Sequence, residues 1–334
     1  MTVETQRQTV LVTGAAGFIG GRVAQRLRDA GHRVVALDLA GRSRAHLGGA
    51  GIEFKEADIT DAAAVSRVLS DVRASWVVHC AALMGGWGAP EEYRRVNVEG
   101  TRHVASWAAA TGVARFVYIS SVSVYGMPPL EGITEETPFL HIGLPYGDSK
   151  IAAETLVLDF HRAGLPCTIL RPGDVYGPRA SEWVVKLVES MRSGRMILIG
   201  GGRGLINVTH VDNLVDVIEA ALGSPGAAGR DYIITDGKPA TWRDYLTMLS
   251  GAAGCAPPKF SLPIVAAWPA VLLLEAVGRL TGRRPPLSRM GLSLLTARCT
   301  YSIDRARREL GWSPRVGLAE GMKEVGDWLK GARS

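Results

Sequence analysis

The stretch Thr9-Val-Leu-Val-Thr13-Gly14-Ala-Ala-Gly17-Phe-Ile-Gly20 decides the fold of this 334-residue chain. It reads as a short buried strand followed at once by glycines, and the residues from Phe18 to Ala30 have the apolar spacing of a helix. At such a turn Gly14 permits the tight bend, Gly17 lets a pyrophosphate approach the backbone, and Gly20 lets the helix pack on the strand. The stretch therefore predicts a dinucleotide site.

A second predicted strand, Arg33–Asp38, ends in an acid at the place where a ribose hydroxyl would be bound. A carboxylate there accepts a hydrogen bond from the 2′-hydroxyl and repels a 2′-phosphate, so we expect NAD(H) to be favoured. Arg42 and Arg44 lie just beyond and would hold a phosphate if the loop folds back, which leaves NADP(H) as the alternative.

Strand and helix patterns alternate through the first half of the chain, which predicts an α/β fold with a doubly wound parallel sheet of the Rossmann type. The predicted strands are Thr9–Thr13, Arg33–Asp38, Ile52–Glu56, Trp76–Cys80, Arg115–Ser120 and Pro166–Arg171. The predicted helices after the first are Ala62–Ser70, Pro90–Thr111 and Gly147–Ala163. We expect residues 1–172 to form the NAD-binding domain and residues 173–334 a smaller α/β substrate lobe, with about 205–235 returning to the core.

Tyr146-Gly-Asp-Ser-Lys150 is the candidate catalytic motif. A tyrosine and a lysine four residues apart on a helix lie on one face, one turn from each other. We expect the ammonium of Lys150 to favour the phenolate of Tyr146, which would then transfer a proton nearer neutral pH than its free pKa of about 10 allows. Behind a dinucleotide motif, this pair indicates hydride chemistry at a carbon–oxygen bond.

Composition narrows the class of protein. The chain has 38 Lys and Arg against 32 Asp and Glu, and no stacking aromatics are interleaved with its arginines, so we expect no nucleic-acid partner. Its 4 cysteines are scattered, with no metal-ligand spacing, which predicts no metal site. The polar N-terminus lacks a signal-peptide core, and we expect a cytoplasmic protein.

The apolar segment Ile264–Val277 is shorter than the roughly 20 residues that span a bilayer, and Pro269 and Glu275 interrupt it. Three arginines follow it, at 279, 283 and 284. We predict a buried or interfacial helix, with peripheral membrane contact through residues 264–284.

Taken together, the motifs resemble those of the extended short-chain dehydrogenase/reductases. They are Gly14-x-x-Gly17-x-x-Gly20, Asp58-Ile59, His79-Cys-Ala-Ala82, Asn97-Val-Glu-Gly-Thr101, Ser120-Ser121, Tyr146-x-x-x-Lys150 and Arg171-Pro-Gly-Asp-Val-Tyr-Gly-Pro178, and they occur in family order. The C-terminal part, from Arg283 to Pro314, looks like the 3β-hydroxysteroid dehydrogenase branch.

The resemblance implies roles for particular residues. Ser121 would bind the substrate oxygen, Tyr146 would act as acid and base, and Lys150 would orient the nicotinamide ribose. Ser120 and Ser123 are rival hydroxyls, and Asn97 fits a structural role as well as a site role. The implied cofactor contacts are Gly14, Gly17, Phe18, Ile19, Gly20, Asp38, Asp58, Ile59, Ala81, Ala82, Asn97, Tyr146, Lys150, Pro172 and Val175. The implied substrate contacts are Met84, Trp87, Ser123, Asp174 and Trp183.

Two departures from the family pattern bear on the substrate. Ile206 stands where nucleotide-sugar enzymes usually carry an arginine, although Arg203 is close, and Asp174 replaces the usual asparagine. Both disfavour a diphosphate. We expect an enzyme that interconverts a secondary alcohol and a ketone on a hydrophobic, steroid-like or polyketide-like molecule. The alternatives are an NAD-dependent nucleotide-sugar epimerase or dehydratase and, more remotely, a non-catalytic cofactor-binding protein. By analogy, the chain is expected to form a homodimer.

Overall fold

The computed structural model describes residues 7–48, 51–85, 88–126, 129–282, 285 and 287–331. The strands are β1 (Thr9–Thr13), β2 (Arg33–Asp38), β3 (Ile52–Glu56), β4 (Trp76–His79), β5 (Arg115–Ile119), β6 (Cys167–Pro172), β7 (Asp174–Tyr176), β8 (Leu198–Ile199), β9 (Leu205–Ile206), β10 (Val208–His210), β11 (Asp231–Ile234), β12 (Ala240–Thr241) and β13 (Ser261–Leu262).

The α-helices alternate with these strands and continue beyond them. They are α1 (Phe18–Asp29), α2 (Ala62–Val68), α3 (Pro90–Tyr93), α4 (Gly100–Ala110), α5 (Pro145–Arg162), α6 (Lys186–Arg192), α7 (Val211–Gly223), α8 (Trp242–Ala253), α9 (Ile264–Thr281), α10 (Arg289–Thr296), α11 (Asp304–Leu310) and α12 (Leu318–Gly331).

A seven-stranded parallel sheet in the order β11-β6-β5-β4-β1-β2-β3 forms the centre of the molecule. Alternation along β1 divides its side chains between two apolar layers, because successive residues of a strand point to opposite faces. Val10 and Val12 pack in the layer of α1 and α7. Leu11 packs in the layer of α2, α4 and α5. The predicted doubly wound sheet is confirmed.

Beyond β6 the chain builds a second body against the carboxyl edge of the sheet. Helices α6, α8 and α12 share an apolar cluster that includes Trp242, Tyr245 and Met322. Helices α9 and α10 form a smaller cluster around Val271 and Leu292. Strand β11 returns to the edge of the sheet beside β6. The division into two domains stays a prediction.

Most predicted elements lie within a few residues of the observed ones, and the bounds of β1, β2 and β3 agree. The predicted helix Pro90–Thr111 differs, since a π-helical turn over Arg94–Glu99 separates α3 from α4. Strand β6 begins one residue later than predicted, and α9 continues four residues past Val277.

Candidate active site

A cavity of about 730 Å³ runs along the carboxyl edge of the sheet. The strand order places its wall at β2 and β3 at one end, at β1 and β4 in the middle, and at β5 and β6 at the other end. The crevice outside the carboxyl ends of parallel strands is the usual ligand site of such sheets. The predicted site residues that line it are Gly14, Gly17, Phe18, Ile19, Gly20, Asp38, Asp58, Ile59, Ala81, Ala82, Met84, Ser121, Ser123, Tyr146, Lys150, Pro172, Asp174, Val175 and Trp183.

The glycine turn at the middle of the cavity fits a pyrophosphate. Gly14 has a φ of 67°, a conformation that favours glycine. A Cβ at Gly20 would lie 2.3 Å from the carbonyl oxygen of Gly14, so a larger residue would displace helix from strand. Gly17 caps α1 without a side-chain hydrogen bond, and the first turn of α1 carries no acidic residue. Its amides and the helix dipole are therefore suited to an anion.

Asp38 is held in place at the end of β2. Its carboxylate accepts hydrogen bonds of 2.8 Å from the amides of Ala16 and Leu39. Arg42 also lines the cavity, whereas Arg44 pairs with Glu56 and lies 4.0 Å over the ring of Phe54. The carboxylate is therefore fixed where a ribose would bind, and Arg44 is engaged elsewhere.

Tyr146 and Lys150 lie on the first two turns of α5, which begins with Pro145. Lys150 Nζ donates to the carbonyl oxygen of Ile119 at 2.8 Å and to the hydroxyl of Tyr118 at 3.3 Å. It lies 6.0 Å from the centroid of the Tyr146 ring. Burial lowers the pKa of Lys150 to about 8, and the negative charge of Glu154 opposes that shift. The ammonium is thus anchored at the end of β5.

The expected activation of Tyr146 by Lys150 is not present in this structure. Burial raises the pKa of Tyr146 to about 12, and a hydrogen bond with the hydroxyl of Ser121 only partly offsets it. The negative charge of Asp174 acts in the same direction as burial. Tyr146 is therefore a protonated phenol at neutral pH, which suits a proton donor better than a base.

The three serines after β5 have different surroundings. Ser120 is buried and donates to Glu154 at 2.5 Å, so its hydroxyl is already used. Ser121 bonds Tyr146 and accepts a hydrogen bond of 3.1 Å from the amide of Ser123. The Oγ of Ser123 is buried and has no hydrogen-bond partner among the described residues. Both Ser121 and Ser123 face the cavity, which agrees with their predicted roles.

Asn97 is not part of the cavity wall as the structure describes it. Its amide is buried, accepts from the amide of Leu83 at 2.7 Å, and donates to the carbonyl of Leu83 at 3.0 Å and to Ser149 at 2.9 Å. These hydrogen bonds tie the cavity loop after β4 to α5, which fits the structural role of Asn97, and its direct cofactor contact stays a prediction.

His79, which ends β4, is a buried structural histidine. Its two ring nitrogens lie 2.7 Å from the hydroxyl of Thr13 and 3.0 Å from that of Thr101. Burial lowers the pKa of His79 to about 3, so the ring is neutral at physiological pH. It links β1, β4 and α4 behind the cavity.

The far end of the cavity is bounded by the second body. Asp174 and Trp183 lie there, Met84 lines the cavity after β4, and Trp87 lies outside the described residues. Burial raises the pKa of Asp174 to about 7, and a hydrogen bond with the backbone of Asn207 acts against the shift. Sequence reasoning also missed other residues of this wall, because the resemblance of the C-terminal segment did not single out any of its residues as site residues. They include Leu205, Asn207, Ser288, Met290, Gly291, Leu294, Ala297, Cys299 and Tyr301.

The doubly wound sheet, the glycine turn and the Ser121–Tyr146–Lys150 cluster together define a dinucleotide-dependent oxidoreductase of the Rossmann type. A family model confirms and narrows this class. The chain belongs to the NAD dependent epimerase/dehydratase family, whose model matches residues 10–235. This confirms the resemblance to the extended short-chain dehydrogenase/reductases and identifies the protein as an NAD-dependent enzyme.

Three comparisons cover nearly the whole chain. A 2-alkyl-3-oxoalkanoate reductase from Stenotrophomonas maltophilia is 32% identical over 95% of this chain and 98% of its own length. A UDP-glucose 4-epimerase from Mycolicibacterium smegmatis is 32% identical over 96% of this chain and 98% of its own. The solved structure of MoeE5 in complex with UDP-glucose and NAD is 28% identical, with a TM-score of 0.79 and coverage of 98% and 100%.

The position of Asp38 leads to a prediction about cofactor choice. The wild-type protein should bind NADH more tightly than NADPH, because the fixed carboxylate accepts from a 2′-hydroxyl and repels a 2′-phosphate. Asp38→Ser should weaken NADH binding and strengthen NADPH binding, with Arg42 at the same end of the cavity. Fluorescence titration with both reduced cofactors measures this, and tighter binding of NADPH to the wild type would contradict it.

Proposed function

We propose that the protein interconverts a secondary alcohol and a ketone on a hydrophobic substrate, with NAD(H) as the redox partner. The observation that carries this proposal is the composition of the far end of the cavity. Trp183, Met290, Leu294 and Tyr301 line it, together with the acidic residues Asp174 and Glu182. Such a wall suits an apolar molecule with few polar groups.

In the reducing direction, the cofactor supplies hydride to the carbonyl carbon when it is bound. The residues of the chain provide the rest of the chemistry. The hydroxyl of Ser121 binds and polarises the carbonyl oxygen, and Tyr146 donates the proton that this oxygen needs. Lys150, held by Ile119 and Tyr118, provides a fixed positive charge near the ribose and the phenol.

A charged diphosphate would lack a cationic partner at the far end of the cavity, where the second body bounds it. In the described part of the wall, the cations are Arg42, Arg95 and Lys150, and the two arginines belong to the β2 and β3 end. Ile206 is fully buried, and Arg203 is exposed in a separate groove near Ile264. Leaving a diphosphate unpaired beside Asp174 would be costly.

The names of the relatives support both candidate reactions. The name of the 2-alkyl-3-oxoalkanoate reductase implies a ketone between an alkyl chain and an alkyl-branched carbon that bears a carboxylate, and the two alkyl chains suit an apolar cavity. The UDP-glucose 4-epimerase relative and MoeE5 support the alternative, a nucleotide-sugar epimerase or dehydratase. Because the arginine and asparagine of that pattern are Ile206 and Asp174 here, we favour ketone reduction. A steroid-like or polyketide-like ketone, as in the 3β-hydroxysteroid dehydrogenase branch, is the finer form of the proposal.

Net redox distinguishes the two reactions. Absorbance at the NADH band should fall when purified protein is given NADH and a panel of hydrophobic ketones, including 2-alkyl-3-oxoalkanoates and steroid ketones. UDP-glucose should neither oxidise NADH nor be epimerised, and calorimetry should show weak binding. Micromolar UDP-sugar binding together with epimerised product would replace the proposal with the alternative.

Asp174 leads to a pH prediction for any substrate that carries a carboxylate. With a pKa of about 7, Asp174 is neutral below that pH and able to donate to a carboxylate, and is ionised above it. The KM for a 2-alkyl-3-oxoalkanoate should therefore rise above pH 7, by up to about tenfold per pH unit. The KM for an uncharged ketone should not follow this curve.

The matched variant is Asp174→Asn, which keeps the shape of the side chain and removes its titration. Its KM for the anionic substrate should be insensitive to pH over the same interval, so that any remaining slope belongs to Lys150 or to the substrate. A wild-type KM that stays flat from pH 6 to pH 9 would contradict the role given to Asp174.

The family resemblance also supports a homodimer formed through α4 and α5. Light scattering coupled to size-exclusion chromatography measures the mass directly. A monomeric mass at micromolar concentration would remove this part of the proposal without affecting the reaction.

A further inference from the structure

Helix α9 exposes an unusually large apolar surface. By length and composition, this 18-residue helix is apolar enough to cross a membrane. Only 22% of it is buried inside the protein, so most of its apolar side chains are exposed. Its exposed fractions reach 84% at Val265, 67% at Leu273 and 88% at Leu280. We define the α9 patch as the exposed apolar residues on this helix and beside it: Ile197, Phe260, Ile264, Val265, Trp268, Leu272, Leu273, Val277 and Leu280.

One narrow stripe of the helix is buried, and it fixes how α9 lies. Ala267, Val271, Glu275 and Gly278 recur at spacings of four and three residues, which is one face of a helix. Val271 packs against Leu292 of α10. Since this stripe is held by the protein along the length of the helix, α9 lies along the surface with its opposite face outward. That orientation suits a helix in the plane of an interface and not one that crosses it.

Cations border the α9 patch at both ends. Arg203 shares a groove with Ile264 and Val265, and Lys259 precedes Phe260. Arg279 is 67% exposed near the end of the helix and lies 3.9 Å from the carboxylate of Glu275. The acidic residue of α9, Glu275, is buried and accepts hydrogen bonds of 2.8 Å from the backbone amide and Nε of Arg289. The surface thus combines an apolar centre with positive charge.

We infer that the α9 patch docks on an anionic lipid bilayer, with the apolar side chains at the level of the headgroups and the three cations against anionic lipids. Apolar area and electrostatic attraction add in such binding. A second copy of the chain is the other occupant to consider, but the positive border would face itself in a symmetric pair, which costs free energy.

The docked helix is coupled to the candidate active site. Glu275 holds Arg289, the first residue of α10, and the next residues of α10 include Met290, Gly291 and Leu294 of the cavity wall. A bilayer against α9 would therefore lie one helix away from the far end of the cavity. A route for a hydrophobic ketone from the membrane to the cavity rests on the proposed function. The docking of the α9 patch on a bilayer does not depend on that function.

Vesicle sedimentation tests the docking without any assay of activity. The full-length protein should sediment with dioleoylphosphatidylglycerol vesicles at low salt, and less with dioleoylphosphatidylcholine vesicles or in 0.5 M salt. Leu273→Gln with Leu280→Gln should lower binding at least about tenfold, because two exposed leucines no longer enter the interface. Arg279→Gln should lower it about fivefold.

Two exposed leucines outside the α9 patch provide the matched control. Leu130 and Leu140 are 50% and 45% exposed. Leu130→Gln with Leu140→Gln should leave vesicle binding unchanged. Trp268 lies in the α9 patch and provides a fluorescence signal for docking. Brominated lipids should quench this fluorescence in the wild type, and the quenching should be lost in Trp268→Phe.

Three results would overturn the inference. The first is a wild-type protein that fails to sediment with anionic vesicles. The second is a control pair that reduces vesicle binding as much as the α9 pair does. The third is light scattering that shows the α9 pair converting a dimer to a monomer in the absence of lipid. The last result would assign the α9 patch to a second copy of the chain. NADH binding is measured on each variant to verify that the fold is intact. This control does not depend on which substrate the protein reduces.

Discussion

Tyr146→Phe is expected to lower turnover by about 10²–10⁴-fold while leaving the affinity for NADH close to that of the wild type. The substitution removes the phenolic proton and keeps the ring. Since the pKa of Tyr146 is raised to about 12, the wild-type residue is protonated at neutral pH, as the acid of the proposed ketone reduction must be. Steady-state kinetics and fluorescence titration on the same preparation separate turnover from cofactor affinity.

Tyr301→Phe is the matched control for this experiment. Tyr301 lines the same cavity and its hydroxyl lies 3.5 Å from Sγ of Cys299, so the variant loses a phenol from the wall without touching Ser121 or Lys150. It should retain most of the turnover. Near-normal turnover in Tyr146→Phe, with NADH binding verified, would show that another group donates the proton.

The strands, and the place of Tyr146 and Lys150 on one helix in the cavity wall, could be predicted because their signals are local. A buried strand next to a glycine turn, and a tyrosine and lysine one helical turn apart, depend on a few consecutive residues. The position of Asp38 could also be predicted, because it is the last residue of a strand that the local pattern identifies. These parts of the sequence agree with the parallel sheet and with the residues that line the cavity.

The direction of the pKa shift of Tyr146 could not be read from spacing. The sequence places a positive charge one turn away, but it does not show how much water the phenol loses. In the structure Lys150 is bonded to Ile119 and Tyr118, and burial dominates. Desolvation depends on every element packed around the group, so it requires the tertiary structure.

The residues of the far wall of the cavity could not be predicted from the sequence either, because they come together only in the tertiary structure. Met290, Leu294 and Tyr301 are separated from Tyr146 by more than a hundred residues of chain, and the resemblance of their segment to a family branch does not show that they reach the cavity. They reach the site because α10 packs on α9 and the following segment runs beside β9 and Ile133. Asn97 shows the reverse case, since a family motif singles it out but does not distinguish a cofactor contact from a loop anchor.

Glu154→Gln is expected to lower the free energy of unfolding by about 3 kcal/mol, because removing one partner leaves a buried charge uncompensated. Glu154 is fully buried on α5 and accepts from Arg171, itself 3% exposed, at 2.7 Å. It also accepts from Ser120 at 2.5 Å. Asp231 still pairs with Arg171 in the variant, which keeps the loss below that of a completely isolated charge.

Asp159→Asn on the same helix is the matched control. Asp159 pairs with Arg162 at 2.7 Å, but both side chains are mostly exposed, and exposed pairs contribute about 0–1 kcal/mol. Chemical denaturation of both variants at neutral pH gives the comparison. Equal losses in the two variants would show that Asp231 alone compensates Arg171. A larger loss in Glu154→Gln would show that the buried pair of Glu154 and Arg171 stabilises the packing of α5 against β6.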